Sequence, residues 1–260
     1  MVSLVHNSCQ HVGPSRFWLE FATINQPDAT GYFLMTDEFW EGELLIGFAF
    51  ALFHGRSGDN QLHRHYATQC AYGDTAAVEV EWENGTIDRA RWHHIPSESL
   101  HRIRATSSTV RMLYYEPTML NSLSVEDLFE KITIADWKEA DWSTYFKMPD
   151  AVDPRVRQAL EQLRADVGIS ISATSMARSV GLSRNRLMEL FSAEIGVPVR
   201  RYILWHRIKL AATEIARGAN LTTAAHAAGF ADSAHFARTM KAMFGVTATK
   251  GLNKLQIRLQ

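Results

Sequence analysis

The chain contains little cysteine and no long apolar run. Of its 260 residues only Cys9 and Cys70 are cysteines, which excludes a disulfide framework and a cysteine-based metal site. The longest apolar run, LLIGFAFALF at 44–53, is far below the roughly 18 to 20 residues that cross a bilayer. The N-terminal stretch MVSLVHNSCQH has no basic segment before an apolar core, so we expect no signal peptide. We therefore expect a soluble, cytoplasmic protein without a membrane partner.

The chain also lacks a strong overall charge, but its two halves differ sharply. The formal net charge is −1. Residues 153–260 hold 16 Lys and Arg against 7 Asp and Glu, a balance of +9, which leaves 11 against 21, or −10, for residues 1–152. Such segregation predicts that only the C-terminal part meets a polyanion, although surface charge can also differ between halves without a function.

Residues 44–116 have the pattern of short β strands. In LLIGFAFALF the bulky Phe48, Phe50 and Leu52 alternate with small residues, a period of two. AAVEVEWENGTIDRARWHHI continues the alternation and contains Asn84-Gly85, the pair preferred in a type I′ hairpin turn. Several short strands separated by turns predict an antiparallel barrel or sandwich. The predicted core aromatic residues are Phe48, Phe50, Trp82 and Trp92.

From about residue 123 the period becomes helical. SVEDLFEKI has Ser124 as a cap and acidic residues in its first turn. MPDAVDP, at 148–154, carries two prolines and two aspartates, which is typical of a linker. The segments beyond it open with cap residues or close with glycine, which predicts helices. The fold class is thus α+β with two domains. A β domain at 1–120, whose first 40 residues show no clear period, precedes linker helices at 121–152 and an all-α domain at 153–260.

MARSVGLSRNRLMELF predicts a helix-turn-helix. Ala177 lies four residues before Gly181 and Leu187 six after it, which supplies the small contact residue, the turn and the apolar anchor that this motif needs. Ser183 would cap the second helix. Its first turn would then carry Arg184, Asn185 and Arg186 toward base edges in the major groove, since Arg suits guanine and Asn suits adenine.

The same design returns 48 residues later in AAHAAGFADSAHF. Ala225 lies four residues before Gly229, and Asp232 would cap a second recognition helix. That helix would present Ser233, His235 and Arg238 to DNA. About 19 helical residues between the units span roughly 28 Å. This is close to the ~34 Å between successive major-groove faces, so both helices could meet one side of a duplex.

Residues 181–247 resemble the AraC/XylS family of bacterial transcription regulators. The resemblance is carried by two segments, GLSRNRLMELFSAEIG and GFADSAHFARTMKAMFGVT, and by the long helix between them. It departs from the family pattern at Ala224, Met240 and Ala248 without removing a DNA-facing group. The resemblance implies that double-stranded DNA is a partner, with Arg186 and Arg238 reading bases. Arg207 would contact phosphate or pack.

AraC-like regulators commonly carry a ligand-responsive barrel of the cupin type, and residues 44–117 resemble one. The cupin pattern is matched by His63 and His65 in LHRHYATQ and by His101 in PSESLH. Gln69 stands where this pattern has Glu. Glu98 takes the place of a motif glycine.

Three imidazoles and the Gln69 oxygen could hold one divalent transition metal, with nickel, zinc, copper or iron(II) as the imidazole-preferring set. A pocket for an organic effector and a structural polar cluster remain open alternatives. His93 and His94 would face opposite sides of a strand, so at most one could join the site.

The leading hypothesis is therefore a sequence-specific, non-enzymatic DNA-binding regulator that senses a small organic molecule or a metal ion. The alternative is a cupin-type metal-dependent enzyme with a helical C-terminal domain. A homodimer is expected. Its candidate surface comprises Leu128, Phe129, Ile132 and Trp137, which could equally pack on their own barrel.

Overall fold

The N-terminal half of the computed structural model is built from β strands. The model describes residues 39–105, 108–120, 125–133, 140–147, 152–165 and 172–260. The strands are β1 (Glu41–Ile46), β2 (Phe50–Arg56), β3 (Thr68–Gly73), β4 (Val78–Trp82), β5 (Ile87–Ala90), β6 (Trp92–Ile95), β7 (His101–Ile103) and β8 (Val110–Tyr115). The predicted features at residues 1–38, Ser124, Trp137 and most of MPDAVDP lie outside the described residues.

The strands form two sheets rather than one closed barrel. The larger has the order β6-β3-β8-β2-β1-β9 and the smaller the order β5-β4-β7. Their pairs are antiparallel, apart from a parallel pair at the edge of the larger sheet. Inward residues such as Leu52, Val80, Ile95 and Met112 are fully buried. The prediction of a β-rich N-terminal half is confirmed, whereas barrel closure is not seen among the described strands.

LLIGFAFALF is not the single strand that its alternation predicts. β1 ends at Ile46 and β2 begins at Phe50, and the Gly47 amide donates to the Phe50 carbonyl at 3.0 Å across a tight turn. Phe48 lies in this turn and is 47% exposed, so it is not a core residue. Phe50 is buried as predicted, and Trp82 and Trp92 are half-buried. Period-two alternation cannot reveal a turn when apolar residues continue through it.

The hairpin at Asn84-Gly85 is present but has a different turn. The Gly85 amide donates to the Trp82 carbonyl, and the Trp82 amide donates to the Thr86 carbonyl, both at 2.9 Å. Positive φ occurs at Gly85 (79°) and not at Asn84, which a type I′ turn would require. The loop is a three-residue connection in which Gly85 takes the left-handed position after an ordinary turn.

The C-terminal half is helical. Its helices are α2 (Pro154–Ala165), α3 (Ala173–Ser179), α4 (Arg184–Ile195), α5 (Val199–Ala216), α6 (Leu221–Ala227), α7 (Ser233–Phe244) and α8 (Ala248–Leu252), preceded by α1 (Val125–Thr133) in the linker region. Leu128 and Ile132 of α1 are fully buried in the chain's own core, so these two candidates do not form a dimer surface. Among the described helices, none combines the length and the apolar character that a membrane crossing requires.

The chain ends in a strand, so the prediction of an all-α segment to residue 260 is wrong at its end. β9 (Lys254–Leu259) pairs in parallel with β1, from Glu41 opposite Lys254 to Ile46 opposite Leu259. KLQIRL alternates polar and apolar residues, which fits an edge strand. Residues Thr36–Gln260 form one compact unit. Within it, the pairing of β9 with β1 connects the helical half to the larger sheet. The domain boundaries given above remain predictions.

A buried polar contact also joins the two halves. Glu116, after β8, is 2% exposed and accepts a 2.6 Å hydrogen bond from the Tyr202 hydroxyl of α5. The ammonium of Lys209, two turns further along α5, lies 3.2 Å from the other Glu116 carboxylate oxygen. Because a buried carboxylate is costly without partners, these contacts fix α5 against the sheet.

Candidate functional site

The first helix-turn-helix consists of α3 and α4. Ala177 and Leu187 are buried at the contact, and Gly181 has the positive φ (67°) that the turn needs. The Ser183 hydroxyl accepts a hydrogen bond from the Arg186 amide at 3.2 Å, as predicted for a cap. The side chains of Arg184, Asn185 and Arg186 are exposed. This unit therefore offers two guanidinium groups and one amide to a ligand outside the protein.

The second helix-turn-helix consists of α6 and α7. Ala225 and Phe236 are buried, and Gly229 has φ 78°. The Asp232 carboxylate accepts a hydrogen bond from the His235 amide at 2.5 Å, which confirms the predicted cap. The predicted base-reading residues differ in exposure. Arg238 is exposed, whereas Ser233 and His235 are half-buried.

Arg207 lies on α5 behind the second unit. A Cβ at Gly229 would stand 3.3 Å from the Arg207 Nε atom, so the guanidinium packs against the turn of this unit. Burial lowers the pKa of Arg207. Of its two predicted roles, phosphate contact and packing, the position in the free protein matches packing. α5 itself has 18 residues, close to the predicted 19.

Three histidines meet in the β half. One ring nitrogen from each of His63, His65 and His101 can be chosen so that all three lie within 4.8 Å of one another. The side chains are 5%, 1% and 0% exposed. His63 and His65 lie in the segment before β3 rather than on a regular strand, and His63 forms an isolated antiparallel bridge with His101. The predicted cluster is thus assembled, with His63 and His65 from a loop and His101 from β7.

Each imidazole is held by the backbone in the same way. The Nδ1 atoms of His63, His65 and His101 lie 2.8, 2.8 and 2.9 Å from the carbonyl oxygens of Gln61, Ala67 and Ser99. A carbonyl only accepts, so each Nδ1 carries the proton and donates. In a neutral imidazole the Nε2 atom then keeps its lone pair. The cluster therefore offers three Nε2 lone pairs to a ligand. Metal-binding histidines are usually fixed in this way, by a hydrogen bond from the other ring nitrogen.

The three rings favour the neutral form. Burial lowers the pKa of His65 to about 3, assisted by the neighbouring charge of His101. Burial followed by the charges of His65 and His101 lowers the pKa of His63 well below its usual value. Burial alone lowers that of His101. Neutral imidazole is the form that binds a metal ion.

Gln69, on β3, faces the same cluster. Its Oε1 lies 3.2 Å from His65 Nε2 and 3.1 Å from His101 Nε2, and its Nε2 donates to the Tyr114 hydroxyl at 3.2 Å. Because both histidine Nε2 atoms carry lone pairs, the amide oxygen meets two acceptors. A cation among these atoms removes the conflict. A half-turn of the amide also removes it, since the NH₂ group would then donate to the rings. Either arrangement gives the Gln69 amide and the Nε2 atoms of His65 and His101 suitable partners.

His93 and His94, the further candidates from the sequence, lie outside the cluster. His93 is buried on β6, where its Nε2 contacts the Val78 carbonyl at 2.8 Å, and His94 is exposed, so neither joins the cluster. Glu98, at the position of the motif glycine, has φ 64° and is the non-glycine residue with positive φ among the described residues. Glu98 thus adopts a backbone conformation that favours glycine, and its carboxylate contacts Arg201 of α5.

Sequence reasoning missed the residues that the helical half brings to this site. The Phe244 ring at the end of α7 lies 5.8 Å from the His65 ring and 5.9 Å from the Tyr114 ring. The Gly245 carbonyl accepts a hydrogen bond from the Gln61 amide at 2.9 Å. No local pattern could have found these contacts, because between 130 and 184 residues of chain separate the partners.

A small apolar cavity adjoins the cluster, between the larger sheet and the helices. Its volume is about 90 Å³, and Tyr114 and Phe244 belong to its lining. Trp40 and Trp205 line it from opposite halves, and both indole N–H groups are buried without a hydrogen-bond partner. A buried donor without an acceptor is costly.

The comparisons with known proteins agree with this division. Residues 176–253 match the family model described as a helix-turn-helix domain. No curated protein matches the chain significantly. Among solved structures, the chain is similar to an apo ToxT variant from Vibrio cholerae, with 11% identity and a TM-score of 0.50 over 78% of this chain and 96% of that one. This likeness shows the shared fold of a β-rich N-terminal and a helical C-terminal part.

Two other similar structures are more distant in shape. Unsaturated fatty acid bound ToxT from Vibrio cholerae has 11% identity and a TM-score of 0.48, over 77% of this chain and 94% of that one. The C-terminal domain of AraT, a response regulator from Geobacillus stearothermophilus, has 19% identity and a TM-score of 0.36, over 38% and 83%. With two complete helix-turn-helix units and the match at 176–253, the helical half of this chain contains a helix-turn-helix domain, which agrees with the resemblance of its sequence to AraC-type regulators.

Proposed function

We propose that this chain is a transcription regulator whose β half senses a divalent transition metal. The ion would be held by the Nε2 atoms of His63, His65 and His101, with the Gln69 amide oxygen as a fourth donor. The observation that carries this proposal is that each of the three buried rings has its Nδ1 held by a backbone carbonyl. The three carbonyls leave the three Nε2 lone pairs available to an ion, and one ring nitrogen of each histidine lies within 4.8 Å of the others.

The donor set selects the class of metal. Imidazole nitrogens suit zinc, nickel, copper and iron(II), whereas magnesium and calcium prefer oxygen ligands. Gln69 supplies a neutral oxygen, so the site carries no negative charge of its own. We therefore expect the ion to be one of the imidazole-preferring metals named above.

Gln69 also suits a sensor better than an enzyme. A resident catalytic metal can rely on a permanent carboxylate, but a sensor must be stable both empty and filled. In the empty site the amide can donate to His65 and His101, and in the filled site its oxygen can face the ion. Glutamate could not make the first arrangement with neutral rings, because a carboxylate only accepts. We therefore expect no turnover by this chain.

The helical half would supply the DNA-binding surface that metal binding regulates. The exposed side chains of Arg186 and Arg238 lie on the two recognition helices, where they can reach base edges in successive major grooves. Metal binding would regulate DNA binding if the ion prefers one arrangement of the two halves over another. Phosphate contacts by the basic half make strong inverse salt dependence an expected property.

The test is a metal analysis of the purified full chain after incubation with zinc alone. We expect one equivalent in the parent, a loss in His63→Ala and in His101→Ala, and no loss in the control His94→Ala. A duplex selected from a random library by the full chain should then change its affinity when zinc is added. A parent chain that binds none of zinc, nickel, copper and iron(II), each added in a separate incubation, would refute the metal proposal.

The cavity beside the cluster favours a second candidate, an organic effector. A small apolar molecule with one oxygen acceptor could satisfy the orphaned N–H of Trp40 or Trp205 and contact both halves. Cyclohexanone is a suitable probe. A rise in melting temperature that Trp205→Phe abolishes would support this site. A rise that persists in that variant would place the ligand elsewhere.

A homodimer is also part of the proposal. Leu128 and Ile132 are buried within the chain, so the contact surface would have to involve other residues. Two copies on DNA would double the recognition helices and lengthen the operator. Sedimentation of the full chain with and without the selected duplex distinguishes one copy from two.

A further inference from the structure

We infer that occupancy of the histidine site is transmitted to the second recognition helix, α7, through Gln61 and Gly245. The effector would therefore control how the second helix-turn-helix unit meets DNA, while the first unit binds DNA in either state. This inference rests on the proposed function, because it names how the same site is read.

The path is a chain of two hydrogen bonds, one from a side chain to the backbone and one between two backbone groups. His63 Nδ1 donates to the Gln61 carbonyl at 2.8 Å, and the Gln61 amide donates to the Gly245 carbonyl at 2.9 Å. Gly245 is the cap residue that ends α7, with φ 68°. One residue of backbone thus separates a candidate metal ligand from the end of a recognition helix. A shift of the His63 ring must move Gln61, Gly245 or both, or break a bond in the chain.

The contact at Gly245 has no free space. A Cβ at this residue would lie 2.2 Å from the Gln61 carbonyl oxygen and 2.9 Å from His63 Nδ1. Close packing of this kind transmits small displacements, because atoms in contact cannot absorb them. Gly245 is therefore needed for its absent side chain as well as for its positive φ.

The preceding residue makes a second contact with the site. The Phe244 ring lies 5.8 Å from His65, the second ring of the cluster, and 5.9 Å from Tyr114, whose hydroxyl accepts from Gln69. On its other side Phe244 stacks on Trp205 of α5 at 5.9 Å. A change in the position of His65 or in the amide of Gln69 would thus reach α7 by packing as well as by hydrogen bonds.

The first recognition helix ends in the same way but in different surroundings. Gly196 ends α4 with φ 81°, which matches the backbone of Gly245. A Cβ at Gly196 would meet nothing within 4 Å. The two glycines are therefore matched in conformation and differ in contact with the sensor half, which makes them a natural pair of test positions.

The experiment compares Gly245→Ala with the matched control Gly196→Ala in the full chain. Both substitutions add the same left-handed strain at the end of a recognition helix. For each protein, zinc binding is measured directly, and the affinity for the selected duplex is measured with and without zinc. In the parent and in Gly196→Ala we expect zinc to change DNA affinity by about fivefold or more, a typical lower limit for coupled sites. In Gly245→Ala the added Cβ crowds His63 Nδ1, so zinc should bind more weakly, and at a saturating zinc concentration it should change DNA affinity less than twofold.

The other outcomes separate the two ideas. If zinc binds to the parent and Gly245→Ala responds like the parent, transmission through Gly245 is wrong and the metal sensor stands. If Gly196→Ala equally loses the effect of zinc on DNA affinity, a general destabilisation of the helical half explains the result. The inference is then overturned. If none of zinc, nickel, copper and iron(II) binds to the parent, or if none of them changes its DNA affinity, the proposed function fails and the inference fails with it.

Hydrogen exchange on the unmodified chain decides the matter if Gly245→Ala does not fold. Zinc should alter the exchange of amides in the segments that contain Gln61 and Gly245, and leave the segment 183–196 unchanged. Equal changes in both recognition helices, or none at Gly245, would overturn the inference.

Discussion

The Glu98 carboxylate accepts a hydrogen bond from Arg201 Nε at 2.8 Å, which links the loop before β7 to the first turn of α5. Glu98 holds a left-handed backbone, and its amide donates to the His65 carbonyl at 2.9 Å. Both side chains are about one-third exposed, so the ion pair contributes little, about 0 to 1 kcal/mol. The left-handed backbone of Glu98 costs a free energy of similar size to that of the ion pair. Glu98 therefore contributes little net stability through its contact with α5.

We predict that Glu98→Gly leaves the free energy of unfolding unchanged or raises it by up to about 1 kcal/mol, because relief of the left-handed strain offsets the lost ion pair. Glu98→Ala keeps the strain and loses the pair, so it should destabilise the chain. Urea unfolding of both variants checks this. A larger loss in Glu98→Gly than in Glu98→Ala would contradict the account.

Replacement of Gln69 tests the idea of a site that is stable when empty. In the metal-free chain, Gln69→Glu buries a carboxylate beside neutral rings, and we expect a loss of about 1 to 3 kcal/mol in the free energy of unfolding. Zinc should restore much of this loss and bind more tightly than in the parent, since the carboxylate adds a charged ligand. Denaturation with chelator and with zinc measures both effects. A variant that is equally stable in the two conditions would argue against a metal at Gln69.

Acid should destabilise the metal-free chain before its carboxylates titrate. The buried His65 has a pKa of about 3 in the folded chain, against about 6.5 when unfolded. The unfolded chain therefore binds a proton that the folded chain excludes, so stability is complete above pH ~6.5 and falls as the pH drops toward 3. His63 and His101 shift in the same direction. Unfolding in chelator between pH 7 and 5 should show this decline, with a smaller slope in His65→Asn. A flat profile would mean that the rings are less buried than described.

Local signals in the sequence predicted local features correctly. Ser183 and Asp232 each cap a recognition helix because a side chain can reach an amide three residues ahead, which no distant residue decides. The histidine pair and His101 were found through a resemblance to the cupin pattern, and the three side chains do lie together. Glu98, at the position of a glycine in that pattern, has the positive φ that glycine adopts readily.

Contacts between the halves could not be predicted in this way. β9 carries a strand pattern in six residues, but its partner β1 lies more than 200 residues earlier, and nothing local selects it. The approach of Phe244 and Gly245 to the histidines likewise depends on how α5 and β9 fix the helical half. These contacts arise from tertiary packing, which composition and period do not encode one segment at a time.

The buried pair of Glu116 and Lys209 should respond more strongly to one change than to two. Lys209→Met removes the cation beside a carboxylate that is 3% exposed, and we expect a loss of about 3 to 5 kcal/mol in the free energy of unfolding. The double variant with Glu116→Gln should lose less, because the neutral amide keeps a partner in the Tyr202 hydroxyl. A double-mutant cycle by urea unfolding gives the coupling. Strictly additive losses would show that the pair contributes nothing specific.

The two recognition helices should read different parts of one operator. Arg186 and Arg238 are exposed on α4 and α7, which α5, at 18 residues or about 27 Å, holds apart. Arg186→Ala and Arg238→Ala should each weaken binding to the selected duplex by about 1 to 3 kcal/mol and relax sequence preference at one position each. The two relaxed positions should lie about 10 base pairs apart, one turn of the duplex.

Selection from a random duplex library with each variant measures both effects. Arg89→Ala, on the exposed β5 of the acidic half, serves as the control and should leave affinity unchanged. If either arginine variant weakens all sequences equally and reduces the salt dependence, that arginine contacts phosphate, because such contacts carry no sequence information. If both arginine variants relax the sequence preference at the same base-pair position, the two recognition helices do not lie in successive major grooves.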